Sequence, residues 1–249
     1  MAKTTGMGDR LFVAGFDLSG DVGAITTLRG SHSVADVTGI SSSAMERIGV
    51  LRDGELSFNS FWNVATGGAV PVLNDLPATD IVAEYHHGAT ASAPAAGITG
   101  KQMDYSIDIP ADGVTTGTTQ ILGNGFGVEW GYSLTTGNQA FTTGTTYGSD
   151  CDDLAGSPVS TAFGACLYVQ LIDIAGGNVT ISAVHGAAAA PTTAIAGCTT
   201  TALTSPGAYR LPSTSATETI LRYTRLKVVS STSSLHAVAM LVRYRAAIS

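Results

Sequence analysis

Residues 120–134 read Gln-Ile-Leu-Gly-Asn-Gly-Phe-Gly-Val-Glu-Trp-Gly-Tyr-Ser-Leu. Leu122, Phe126, Val128, Trp130, Tyr132 and Leu134 fall on one side of a two-residue repeat, the period of a β-strand with one apolar face. Gly123, Gly125, Gly127 and Gly131 fall on the other, with Glu129 among them. Glycine inside a strand forfeits packing, so a row of glycines predicts that another backbone comes close. An intrachain bulge partner and a neighbouring subunit both satisfy that condition.

The same alternation recurs on either side. Met103, Tyr105, Ile107 and Ile109 alternate with Gln102, Asp104, Ser106 and Asp108, which predicts a half-buried strand with two carboxylates on its wet face. Leu56, Phe58, Ser60, Trp62 and Val64 alternate behind Asp53-Gly54, a dipeptide that predicts a turn. Ile81, Ala83, Tyr85 and His87 repeat the pattern. Helical spacing is scarce: Gly68–Leu76, stopped by Pro77, and a weaker serine-capped run over Ser41–Ile48. After Leu134 the chain turns to Thr, Gly, Ser and Asp, and strands resume at 167–174, 179–185, 220–229 and 235–244, with low-complexity loops expected at 186–197 and 212–219. The expected fold is all-β: a β-sandwich or barrel with one short helix over residues 1–137, a linker or long loop over 138–161, and a second small β-sandwich over 162–249.

Composition narrows the function classes. Only 12% of the 249 residues are charged, and a lightly charged surface is cheaper to desolvate, which fits a subunit buried in an assembly. The net charge of −7 is uneven: residues 1–137 carry 6 basic and 14 acidic side chains, residues 138–249 carry 6 and 5. An acidic front half argues against phosphate binding, which needs clustered Lys and Arg. The first ten residues lack an apolar export core, and no apolar run approaches the ~18 residues needed to span a bilayer, so neither export nor a membrane is expected. The Asn178 sequon is then a chance match. Cys151, Cys166 and Cys198 have neither a disulfide-framework count nor metal spacing and read as buried or semi-buried free thiols, with a single late disulfide as the alternative.

Catalytic constellations are thin. Gly123–Gly127 imitates a nucleotide loop, but a strand follows where a phosphate site needs a helix. Glu84, His86 and His87 are close in sequence, yet neighbours on a strand point to opposite faces, leaving Glu84 and His86 together, two ligands without a third and so a poor case for a metal site. Asp104 and Asp108 stand ~13 Å apart along a strand, too far for a glycosidase pair. Asp152-Asp153 is a further carboxylate pair. Arg222, Arg225, Lys227, Arg243 and Arg245 divide between strand faces and read as surface salt bridges. No enzyme, cofactor or metal is expected.

Phe16-Asp17-Leu18-Ser19-Gly20-Asp21-Val22 resembles the Asp-Leu-Ser-Gly segment that opens many phage tail tube proteins. Ile48-Gly49-Val50-Leu51-Arg52-Asp53-Gly54-Glu55-Leu56-Ser57-Phe58 is similar to the Asp-Gly entry to a core strand in that family. The order of motif, long loop, Asp-Gly strand, short helix and further strands matches as well, over residues 10–134. The second block, through Leu221–Val228 and Ala237–Arg243, is similar to sandwiches added to tail proteins of actinobacterial phages. The resemblance is therefore to a siphophage major tail tube protein, and it brings no catalytic residue. It implies a virion tail component, assembled in the host cytoplasm. Homo-oligomeric rings, usually hexamers, would stack into a hollow tube around the tape measure protein, meet tail terminator and tail-tip proteins, and contact DNA only in transit. In that setting Asp104, Asp108 and Glu55 are the expected lumen residues, since acidic walls repel phosphate. The loop from Ser31 to Gly49, with Asp36, Met45, Glu46 and Arg47, and the arm Met1–Arg10 are the expected contacts to the next ring. Two other readings share the composition: a capsid decoration or minor virion protein, and a carbohydrate-binding adhesin using Trp62, Trp130 and Tyr132. The alternation places Trp62 and Trp130 on apolar, core-facing sides, which weighs against the last.

Overall fold

The computed structural model describes residues 6–111, 113–152 and 160–245. The first five residues of the N-terminal arm, Asp153, and residues 153–159 of the expected linker lie outside this range. Among the described residues the chain is all-β with one short helix. In order the elements are β1 (Arg10–Val13), β2 (Phe16–Asp17), β3 (Val22–Asp36), β4 (Arg47–Phe61), α1 (Ala69–Leu73), β5 (Ile81–His86), β6 (Pro94–Asp108), β7 (Thr116–Ser133), β8 (Gln139–Phe141), β9 (Gly144–Tyr147), β10 (Cys151–Asp152), β11 (Ala165–Ile174), β12 (Val179–Gly186), β13 (Thr193–Thr199), β14 (Gly207–Pro212), β15 (Tyr223–Ser230) and β16 (Leu235–Arg243).

Two compact units are interleaved along the chain: Met1–Gly20, Val82–Gly97 and Trp130–Ser249 form the first, Asp21–Ile81 and Ile98–Glu129 the second. The division drawn from the sequence, at 138–161, was sequential and differs. Its physical basis was the polar composition of that stretch, but β8, β9 and β10 lie there and pair with β16 and β15. Short edge strands need little apolar content, so composition alone made them look like a linker.

The first unit is a sandwich. One layer runs β14–β11–β16, and β16 also pairs with β8 and the end of β7. The other runs β10–β15–β12–β13, with β9 on β15. Leu167, Val169 and Leu171 of β11 pack with Ile181, Leu226 and Leu241 in a fully buried core. The opposite face of β11 is also covered: Cys166 and Tyr168 pack with Val82, Ala95 and Met240. Burial on both faces explains why β11 reads as a continuous apolar run rather than an alternating one. All three cysteines are buried free thiols, and burial pushes the Cys198 thiol up to about 12, so it stays protonated and inert.

The second unit is built on the long antiparallel ribbon of β3 and β4, paired from Val22↔Ser60 to Asp36↔Arg47. β4 continues onto β7 from Glu55↔Leu122 to Phe61↔Thr116, and β6 follows β7. Asp21 ties the ribbon's base together, accepting from Asn63 Nδ2 at 2.9 Å and from Ala69 N at 2.8 Å. Five local expectations change here. Residues 31–36 and 47–49 are ribbon strand rather than loop, residues 37–46 form the ribbon's tip, and the helix expected over Ser41–Ile48 is part of that tip turn, closed by Val37 N donating to Glu46 O. The Gly68–Leu76 helix shortens to Ala69–Leu73. Asp53-Gly54 is no turn: Gly54 sits mid-strand opposite Gly30. Met103, Ile107 and Ile109 are exposed rather than half-buried.

Gly54 is glycine because of what lies against it. A Cβ there would stand 2.5 Å from Val128 N and 2.7 Å from the Gly127 carbonyl carbon. Gly127 has φ +67°, and its own Cβ would meet Asp53 O at 2.6 Å. The glycine row of residues 123–127 is thus a bulge of β7 lying against β4, which answers the open question of its partner in favour of this chain. The bulge also resets the faces: Glu129 is buried, while Phe126 and Trp130 are exposed.

Gly54→Ala forces these backbones apart and is expected to destabilise by about 1–3 kcal/mol, as overpacking does. Gly20→Ala, with nothing within 4 Å of the added carbon, should change stability by less than ~0.5 kcal/mol. Urea unfolding of both variants checks the contrast.

Candidate functional site

The second unit leaves an unusual amount of apolar surface bare. Among the described residues, sixteen of the twenty exposed large apolar side chains belong to it, and only Met7, Phe16, Trp130 and Val229 belong to the first unit. They concentrate on the ribbon: Val34, Val37, Ile40, Met45, Ile48, Val50 and Leu51 all stand out, with Leu51 70% exposed. A cluster of this kind marks a contact surface.

The strand edges of this unit are equally open. β3 runs for fifteen residues, none of them buried, and pairs only with β4 among the described residues. Its sequence contains no Pro and no Lys, the usual guards against pairing with another chain. Its register irregularities at 22–24, 25–27 and 32–34 bend the ribbon without covering the edge. Among the described residues β4 pairs with β7 only from Glu55 onward and is packed by it at Asp53 and Gly54, so residues 47–52 have a strand on one side only. β6 has fifteen residues against six in its outer neighbour β5, which leaves the end around Asp104–Asp108 open as well.

The expected site residues fall into two groups. Asp36, Met45, Glu46 and Arg47 come together at the ribbon tip, where Asp36 faces Arg47 in the ladder. The tip is held in shape by its own polar groups. Asp36 Oδ1 accepts from Thr38 N at 2.9 Å and from Thr38 Oγ1 at 2.6 Å, bonds that hold its carboxyl below the usual range. Glu46 N donates to Thr38 Oγ1, and Ser42 Oγ donates to Glu46 Oε1. A pre-shaped tip lowers the ordering cost of docking. Asp104 and Asp108 are exposed on β6. Glu55 is not with them: it lies on β4, two strands away in the sheet order. Gln120 Nε2 and Ser57 Oγ donate to it and Arg29 pairs with it at 3.1 Å, which together hold its carboxyl low and offset its charge locally. The apolar ribbon side chains beside these groups were missed in the sequence. Neither ribbon face is covered, so no alternation flags them.

The other polar candidates are structural. Glu84 and His86 share a face, as strand geometry requires, but both are buried: Glu84 Oε2 lies 3.2 Å from His86 Nε2, and the Phe12 ring stands edge-on to the imidazole at 5.6 Å. His87 points elsewhere, to Asp9 at 2.9 Å. Arg222 pairs with Asp152, and Arg225 stacks 3.9 Å over the Tyr147 ring, whereas Arg243 is buried and donates to the carbonyls of Ile220, Leu221 and Arg222. The surface salt-bridge reading therefore fails for Arg243. Trp62 and Trp130, expected in the core, are 44% and 56% exposed.

No family model matches the chain, and no curated protein matches it in sequence. Solved structures align over nearly all of it. The Dit protein of phage SPP1, described as a hub adsorption apparatus of phages infecting Gram-positive bacteria, covers 94% of this chain and 98% of its own at 10% identity, with a TM-score of 0.35. The phage p2 baseplate in its activated conformation with strontium covers 95% and 99% at 9% identity, TM-score 0.34. Its calcium form covers 95% and 99% at 8%, TM-score 0.33. At these scores the likeness fixes neither the fold family nor the function of this chain.

Burial raises the Glu84 carboxyl above its usual 4.5, against the opposing pull of the His86 bond. Its contribution to stability is therefore complete below 4.5 and is lost as the pH rises through the raised folded value. Glu84→Gln cannot ionise. The stability difference between variant and wild type should move in the variant's favour from acid to neutral pH, measured by urea unfolding across that range. A pH-independent difference would show that Glu84 titrates normally.

Proposed function

We propose that this protein is a structural subunit of a phage tail that self-assembles into rings through the open edges of its second unit, the rings stacking into a hollow tube. The observation that carries this reading is β3: a fifteen-residue edge with no buried residue, beside a ribbon of exposed apolar side chains. A free monomer would have to guard such an edge, and an assembly removes it by pairing. The two open edges, β3 and the far end of β6, lie at opposite ends of the strand order β3–β4–β7–β6. Head-to-tail contact between such edges on successive copies closes a ring when the rotation closes, most simply a hexamer in the family the sequence resembles. The ribbon tip with Asp36, Met45, Glu46 and Arg47 is then placed to reach the next ring. Asp104 and Asp108, on an open strand end, are the carboxylates that would face transiting DNA, while the Arg29-paired Glu55 contributes little. The tape measure, terminator and tail-tip proteins are the remaining partners of this reading, and no catalytic role is assigned.

A second reading, a glycan-binding module, draws on the exposed Trp62 and Trp130, since aromatic faces stack on sugars. Binding of the purified subunit to a glycan panel, lost in Trp130→Ala, would favour it.

Negative-stain microscopy of the concentrated protein should show rings or tubes. Val34→Lys with Val50→Lys places charge on the ribbon without touching a buried group, and should raise the assembling concentration about tenfold or more, about 1.4 kcal/mol per contact. Unaltered assembly of this variant would remove the ribbon from the interface. Separately, Asp104→Lys with Asp108→Lys should still assemble, but the tubes should retain duplex DNA in a salt-sensitive manner that wild-type tubes do not.

A further inference from the structure

We propose that Asn124 is a site of spontaneous deamidation whose rate is set by Asp80. Asn124 is the one asparagine of six in the chain that precedes a glycine. It is exposed, and it sits in the β7 bulge with Gly125 at φ +93° and open space on the side where a Cβ would stand. A glycine nitrogen approaches the preceding side chain without a Cβ in its way. In the step, Gly125 N bonds to Asn124 Cγ while the Cγ–Nδ2 bond breaks, and the amide nitrogen leaves as ammonia with the Gly125 proton. Water then opens the cyclic imide at either carbonyl, giving the aspartyl or the isoaspartyl chain.

Asp80 opposes this. Asn124 Nδ2 donates to both carboxylate oxygens at 3.0 Å, and Lys101 Nζ lies 3.0 Å from Oδ1 of the same carboxylate. Lys101 and Asn124 both hold the Asp80 carboxyl below its usual range, so the clasp is charged at neutral pH. While the amide is held there, its carbon is restrained from reaching Gly125 N. Once converted, position 124 carries a carboxylate beside that of Asp80, and the clasp repels instead of binding. The isoaspartyl product also lengthens the main chain by one carbon between Cα of residue 124 and Gly125 N, inside the run from Gly123 to Gly127 that packs against Asp53 and Gly54. Conversion therefore acts on the contact that seats β7 on β4.

The test is peptide mass mapping of the full-length folded chain during incubation at mildly alkaline pH, with isoaspartyl methyltransferase labelling. Conversion is expected at Asn124, with Asn59, Asn63, Asn74, Asn138 and Asn178 unchanged. Asp80→Ser should accelerate it several-fold, and Lys101→Met, which leaves the Asp80–Asn124 bonds in place, should not. Circular dichroism confirms that each variant is folded. No conversion in the folded chain over a period in which the urea-unfolded chain converts fully would overturn the site. Equal rates in wild type and folded Asp80→Ser would overturn the role of Asp80.

Discussion

The second unit depends on a contact that no side chain makes. Where β4 passes β7, the backbone at Gly54 lies against Gly127 and Val128, and Gly123 closes the same space from the near side of the bulge. A Cβ at Gly54 or Gly127 would overlap main-chain atoms that cannot rotate away, and one at Gly123 would crowd them. Regular pairing of β4 with β7 begins at the next residue, Glu55↔Leu122, so the glycine contact sets the register of everything that follows. It also ends β7's partnership with β4: beyond the bulge, Tyr132 and Ser133 pair with β16.

The two units solve the burial problem differently. The first encloses its apolar surface between two layers and covers the far side of β11 as well, leaving few large apolar residues bare. The second places a long ribbon beyond the reach of its own strands, with apolar side chains exposed along both arms. Burying such surface is worth about 25 cal/mol per Å², so partners that cover it gain what the isolated unit forgoes. Under the proposed function, ring assembly would supply that cover and the missing ladder partner in one step.

Much of the first unit was legible in its sequence. The apolar runs of β11, β12, β15 and β16 appear where they were expected, because full burial and strong patterning coincide. The ribbon was not legible. Val22–Asp36 carries no alternation, since neither face is buried, and its tip resembles a capped helix through Ser41 and Glu46, but Ser42 Oγ donates to Glu46 and helps to close a turn there instead. Asp53-Gly54 has the composition of a hairpin turn, but the glycine serves close packing rather than a reversal. The interleaving of the units was hidden as well, because β6 and β7 each contribute residues to both. Of the candidate site, the tip residues gather as one group, while Glu55 separates from Asp104 and Asp108 because strand order, unlike spacing, cannot be read from one chain.

Amide hydrogen exchange on the dilute and the concentrated protein addresses the claim of edge pairing most directly. The open edge predicts fast exchange at the amides of Val22–Asp36 that point away from β4 in the dilute chain and protection of those amides on assembly, with the first unit's core strands slow in both states. An assembled particle in which those amides exchange as fast as in the dilute chain would contradict pairing through β3.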